Sequence, residues 1–85
     1  MYEIKTGKIV DKFLEKHLDI AKKFILSLEI IKESPFENNL DIKPIKGMKN
    51  HFRLRIGKYR FLYEVIENQI LIYFYDADSR GDIYK

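Results

Sequence analysis

Between positions 46 and 60 the chain carries Lys46, Lys49, Arg53, Arg55, Lys58 and Arg60 with no acidic residue among them. Guanidinium groups match phosphate oxygens as a two-pronged fork, and a local block of one charge sign attracts a polyanion or an acidic partner. A merely solvated strand surface has the same composition, so spacing has to decide. Arg53 and Arg55 alternate with Phe52, Leu54 and Ile56, which places the two arginines on one face of a strand. Gly57-Lys58 is a two-residue turn signal, with glycine first as a type II′ turn prefers. That turn sets Ile56 opposite Tyr59 and Arg55 opposite Arg60. Like charges in such cross-strand positions are mildly destabilising, and an anion between them reverses the sign of the interaction.

The same register gathers Arg53, Arg55, Arg60, Leu62, Tyr73 and Tyr75 on one face. Phe52, Leu54, Phe61, Tyr63, Val65, Ile70, Ile72 and Phe74 fall on the other, as the core face. Guanidinium groups interleaved with aromatic rings suit a phosphate backbone with unpaired bases, as in single-stranded RNA or DNA. Three arginines without acids are expensive to bury, so this face is expected to stay uncovered. Lys46 and Lys49 extend the basic surface just ahead of the first hairpin strand. Beyond the last strand, Arg80 and Tyr84 can return toward the Arg55–Arg60 pair. His51 opens the basic strand and can touch a phosphate or act as an acid. His17 lies among helical residues and reads as a surface position. Two histidines and no cysteine make no recognisable metal site, and Asp76, Asp78 and Asp82, with Arg80 among them, read as ion-pairing and turn residues. There is no P-loop, no dinucleotide fingerprint and no nucleophile elbow, so no cofactor is implied.

The elements that must position these residues divide the chain into a helical half and a strand half. Met1 to Lys5 reads as a short strand. Thr6 is placed to cap a helix through its hydroxyl. Ile9, Val10, Phe13 and Leu14 recur at helical spacing. The pattern restarts around His17 to Asp19, and Ile20, Phe24, Leu28 and Ile31 form a second stripe. Two short helices and one kinked helix fit equally well. Ser34-Pro35 ends the run, because proline disfavours helical geometry at the preceding residue. Residues 36–45 read as a connection from which Ile42 and Ile45 dip into the core. Strands follow over His51 to Ile56, Tyr59 to Ile66 and, after a turn at Glu67-Asn68, Gln69 to Asp76. The expected architecture is α+β: an N-terminal strand and two helices packed on one face of an antiparallel β-sheet.

With 85 residues, residues 1–85 are expected to form a single domain with one core and one site. The chain contains no cysteine, which removes disulfide and thiolate chemistry and fits the cytosol. No stretch approaches the length of a membrane span, and Met1 to Val10, with Glu3, Lys5 and Lys8 spread through it, lacks the apolar block of a signal peptide.

The order of elements, together with Ile45-Lys46-Gly47, the run from Phe52 to Val65 and the segment from Ser79 to Tyr84, resembles the RelE/ParE toxins. The likeness lies in a leucine-lysine-glycine-like element, an R-x-R-x-G-x-Y-R-x-x-Y hairpin and a closing arginine-to-tyrosine segment. It covers close to half the chain, and the helical half is similar only in pattern. The resemblance implies a toxin of a type II toxin–antitoxin system, with a cognate antitoxin protein as partner. RelE-type members enter the ribosomal A site and cut messenger RNA there. The ribose 2′-hydroxyl attacks the adjacent phosphate and leaves a 2′,3′-cyclic phosphate. The family's catalytic positions match Arg60, Arg80 and Tyr84. Where well-known members carry lysines, this chain has Arg53 and Arg55, which stay charged and favour an electrostatic role over proton transfer. ParE-type members, which inhibit DNA gyrase without catalysis, share the fold and much of the hairpin. A plain RNA-binding module is the third class compatible with the basic, aromatic face.

Overall fold

The computed structural model describes residues 1–35 and 38–78; Arg80 and Tyr84 lie outside them. The chain opens with strand β1 (Glu3–Thr6), followed by helices α1 (Lys8–Lys16) and α2 (Leu18–Glu33). It then forms strands β2 (Ile42–Pro44), β3 (His51–Ile56), β4 (Tyr59–Ile66) and β5 (Leu71–Asp78), with a 3-10 turn at Glu67–Gln69.

Two helices form rather than one kinked helix, because His17 leaves helical geometry (φ −136°, ψ 68°) and serves as the end of α1 and the start of α2. Its ring is half-buried rather than on the surface. It stacks on Phe13, lies 5.0 Å from the Tyr59 ring, and approaches the Phe13 carbonyl at 2.8 Å through Nδ1. Thr6 does not cap α1. It ends β1, and its hydroxyl donates to the Asp11 carboxylate, while Gly7 takes the cap position. Glycine leaves room there for the Tyr73 side chain: a β-carbon on Gly7 would lie 2.6 Å from its hydroxyl oxygen, which would have to shift. Along α1, Val10 is buried and Phe13 and Leu14 are partly so, whereas Ile9 faces solvent. In α2 the stripe of Ile20, Phe24 and Ile31 is buried as its spacing predicts, and the helix ends before Ser34-Pro35.

The sheet order is β1-β5-β4-β3-β2. β1 runs parallel to β5, so the sheet is mixed, and only the pairings among β2 to β5 are antiparallel. Strand β2 lies inside the expected connection, with Ile42 opposite Leu54 and Pro44 opposite Phe52. Pro44 lacks an amide donor, which only an edge strand tolerates, and β2 is an edge. At the hairpin Gly57 has φ +61° and Lys58 does not share the positive sign, as a type II′ turn requires. Arg55 accordingly faces Arg60, and Ile56 faces Tyr59.

Both helices pack on the face that carries Leu54, Phe61, Tyr63, Val65, Ile72 and Phe74, and these side chains with Val10, Ile20, Phe24 and Ile31 form the core. Ile70 is not part of it. It sits in the left-handed region at φ 49°, ends the 3-10 turn and is more than half exposed. The β4–β5 pairing also contains an irregularity. Tyr63 faces Phe74 and Leu62 faces Asp76, so Tyr75 is the extra residue of a bulge.

The Tyr63 side chain is fully buried, and its hydroxyl has no hydrogen-bond partner among the described residues. Burial raises its pKa far above the usual phenolic value, so it stays neutral. A buried hydroxyl without a partner costs desolvation and returns nothing, and its ring already packs between Phe52 and Phe74. Tyr63→Phe is therefore expected to leave stability unchanged or raise it by up to about 2 kcal/mol. A denaturant titration showing a loss of that size would reveal a hydrogen bond that the hydroxyl depends on.

Candidate nucleic-acid interface

The face of the sheet turned away from the helices is ordered in rows that cross the strands. At the hairpin end, Arg55 of β3, Arg60 of β4 and Asp78 of β5 stand side by side. The middle row is Lys43, Arg53, Leu62 and Asp76. The far row is His51, Glu64, Tyr73 and Lys5. Strand alternation puts all of these side chains on the same side. The structure thus places Arg53, Arg55, Arg60 and Tyr73 on one face, and Tyr75 reaches the same face through its contact with His51. Lys46 and Lys49 are exposed in the loop between β2 and β3, next to the far row.

The arginines of this face do meet an acid, which corrects the expectation drawn from the local charge block. Asp41 lies just ahead of β2. Its carboxylate accepts from Arg55 Nε at 2.7 Å and from Arg53 Nη1 at 3.3 Å. Its carbonyl accepts the Arg55 amide at 2.9 Å, so backbone and side chain fix the same contact. Burial pushes the Asp41 pKa up. The hydrogen bond from Arg55, the charges of both arginines and the bond from Arg53 outweigh it, and the net shift is downward. Arg53 is only 5% exposed and acts as a base plate, whereas Arg55 remains about half open beside Arg60.

In the far row, His51 Nδ1 lies 2.9 Å from the Tyr75 hydroxyl, and its Nε2 lies 3.8 Å from Glu64 Oε2. Burial, then the charges of Asp76 and Glu64, raise the Tyr75 pKa, so this phenol is a poor base. Neither the Asp41 bridge nor this trio was apparent in the sequence. The signals available were an acid two residues ahead of a lysine that pairs with Arg53, and a histidine opening the basic strand. Among the described residues no group of three histidine, cysteine or acidic side chains is placed to hold a metal ion. No described helix is long and apolar enough to cross a membrane.

Two helices on one face of a five-stranded mixed sheet with an N-terminal strand is the architecture of the RelE-type toxins. The fold superposes on RelE in an archaeal RelE–RelB complex from Pyrococcus horikoshii OT3 with a TM-score of 0.81, at 25% identity over 94% of this chain and 96% of that one. It matches a chain of the RelB–RelE antitoxin–toxin complex from Methanococcus jannaschii with a TM-score of 0.71, at 34% identity over 93% of both chains. The isolated Escherichia coli RelE toxin shares the fold at a TM-score of 0.78 and 16% identity, over 99% of this chain and 92% of that one. In sequence, the chain is 35% identical over 65 residues to a Methanocaldococcus jannaschii protein described as a candidate toxin, RelE1, across 75% of this chain and 72% of that protein. No protein-family model matches the sequence. On this similarity the chain belongs to the RelE toxin family.

Asp41→Ala strands the buried Arg53 guanidinium without its acid and is expected to cost about 1–3 kcal/mol of stability. The pH dependence follows from the sign of the shift. Asp41 titrates lower in the fold than the roughly 3.9 of an unfolded aspartate, so its contribution is complete above that pH and is lost as pH falls through it. Chemical denaturation of the native chain and Asp41→Asn should therefore show a stability gap at neutral pH that narrows below about pH 4. A gap unchanged at low pH would deny the charge-dependent bridge.

Proposed function

We propose that the chain is the toxin of a toxin–antitoxin pair and acts as a ribosome-dependent endoribonuclease on messenger RNA. The observation that carries this reading is the lateral pairing of Arg55 with Arg60, on the sheet face free of helices, at the end where β5 leaves the sheet beside Arg60. Asp41 offsets part of the Arg55 charge and Asp78 stands beside Arg60, and two guanidinium groups placed side by side still gain from a further anion between them. A phosphodiester is such an anion, and Arg can grip it through two hydrogen bonds.

In the proposed mechanism Arg60 and Arg80 stabilise the charge that builds on the phosphate oxygens as the 2′-hydroxyl attacks phosphorus. Tyr84, acting as a phenolate, takes the 2′-hydroxyl proton; the P–O5′ bond breaks, the 5′-oxygen takes a proton from water and leaves as a hydroxyl, and a 2′,3′-cyclic phosphate remains. Arg55 adds charge from the neighbouring strand. Arg53, held by Asp41, keeps Arg55 and Asp41 in place from beneath. Lys46, Lys49, Tyr73 and Tyr75 bind the flanking RNA through phosphate contacts and stacking. The proposed protein partner is a cognate antitoxin, by analogy with the RelE–RelB complexes. Helix α2 supports such a partner. Besides its buried stripe it exposes Leu18, Ile25, Leu26 and Ile30, and a helix apolar on so much of its circumference calls for cover.

Arg60→Ala and Arg80→Ala are each expected to lower cleavage by about a hundredfold or more and to abolish growth arrest, while antitoxin binding persists. Mapping RNA 5′-ends after induction should show new ends within translated codons in the native chain alone. Intact messages together with relaxed or trapped DNA would replace this reading with gyrase inhibition.

A further inference from the structure

Each row of the open face ends in or passes through an acid: Asp78 stands beside Arg60 and Asp76 accepts the Ala77 amide, whereas Glu64 in the far row meets His51 at only 3.8 Å. Glu64 lies in the middle of β4, on the same face as Arg60, with a side chain 39% exposed. Its negative charge repels an RNA backbone. As an ion pair it is weak: its contact to His51 is 3.8 Å, and exposed pairs of this kind contribute about 1 kcal/mol or less. An acid kept on such a surface at a cost in affinity is accounted for by discrimination between ligands.

The neighbours of Glu64 fit that role. Tyr73 faces it directly across the β4–β5 pairing and is among the exposed large side chains. Side chains so paired have β-carbons about 5 Å apart, so a base stacked on the Tyr73 ring brings its edge to the Glu64 carboxylate. Tyr73 is supported from behind by its close approach to Gly7 and has the Tyr75 ring 6.4 Å away. On the other side of Glu64, His51 Nδ1 lies 2.9 Å from the Tyr75 hydroxyl and Nε2 lies 3.8 Å from the carboxylate, so a ring that accepts a hydrogen bond from Tyr75 at Nδ1 turns Nε2–H toward Glu64. That arrangement aims the Glu64 carboxylate, with its remaining acceptor positions open. The row lies four strand residues from the Arg55–Arg60 row, about 14 Å along the sheet. A strand of RNA laid along the face can therefore occupy both.

We propose that Glu64, backed by His51 and beside the Tyr73 stacking platform, is a base-reading subsite selective for guanine in single-stranded RNA. The proposal rests on the RNA-cutting reading and names the specificity of that face. A carboxylate offers two acceptors side by side and no donor. Guanine presents two adjacent donors on its pairing edge, the ring N1–H and the exocyclic amine, and meets the carboxylate in bidentate fashion. Cytosine and adenine each offer a single amine beside an acceptor. Uracil offers one imino group flanked by two carbonyls that repel the carboxylate.

The test is equilibrium binding of fluorescent oligouridines that carry one central guanine, adenine, cytosine or inosine, with the purified toxin freed of antitoxin. The guanine oligomer is expected to bind about tenfold or more tightly than the adenine one. Inosine, which lacks the exocyclic amine, is expected to lose most of that preference, and so is Glu64→Gln with any of the oligomers. Equal binding of all bases by the native chain, inosine binding as well as guanine, or a preference intact in folded Glu64→Gln would each overturn the proposal. The inosine comparison leaves the protein untouched and decides the matter even if Glu64→Gln folds poorly. A guanine preference without any cutting of messages would retain the subsite and remove the nuclease reading.

Discussion

The two-residue turn at Gly57-Lys58 is the constraint on which the rest of the structure depends. Strand side chains alternate with a period of two, so a slip of one residue between β3 and β4 would turn the core face to solvent and the arginines to the helices. Glycine at φ +61° makes the tight reversal available without strain and fixes Arg55 against Arg60. The same register lays Leu54 beside Phe61 and Phe52 beside Tyr63, where α2 and its Phe24 close over them. Packing and candidate chemistry are therefore set by one local choice. The burial of Phe61, Tyr63 and Val65 supplies the free energy that holds two like charges side by side.

Electrostatics across the open face is graded rather than uniformly basic. Asp41 absorbs part of the charge of Arg53 and Arg55, and in doing so fixes the angle at which Arg55 stands beside Arg60. At the other end the cationic character gives way to an imidazole, a carboxylate and two phenols. A ligand with alternating anionic and aromatic parts matches such a gradient better than a compact anion does. This is the physical sense of the contact with RNA proposed for the surface.

Much of this was legible in the sequence, for reasons that differ by element. Alternation and the glycine-first turn located β3 and β4 to the residue, and helical spacing with Ser34-Pro35 delimited α2. These signals are local. The missing pieces depend on partners far along the chain. β2 is three residues with a proline, and it becomes a strand only because β3 offers it an edge. The Asp41 bridge spans 12 and 14 residues, and the His51–Tyr75 contact spans 24. A two-residue turn after β4 puts Ile70 on the core face, whereas the 3-10 turn carries the chain one step further round and leaves it outside. Arg80 and Tyr84 lie outside the described residues, and their part in the site rests on sequence resemblance alone.

The bulge at Tyr75 gives β5 two phases on one strand. Before it, Ile72 and Phe74 point to the helices; after it, Ala77 does, and Asp76 turns away with Leu62. An unbroken ladder would instead push the Asp76 carboxylate against Phe61, in the driest part of the molecule. The spare residue works as a frame shift that keeps an aliphatic methyl inward and an acid outward, with the Asp76 carboxylate accepting the Ala77 amide at 2.8 Å. It also decouples the two ends of the outer surface: the aromatic end answers to the pleat of one half of β5, and the arginine end to the other. Each half can drift in sequence without dragging its counterpart out of phase.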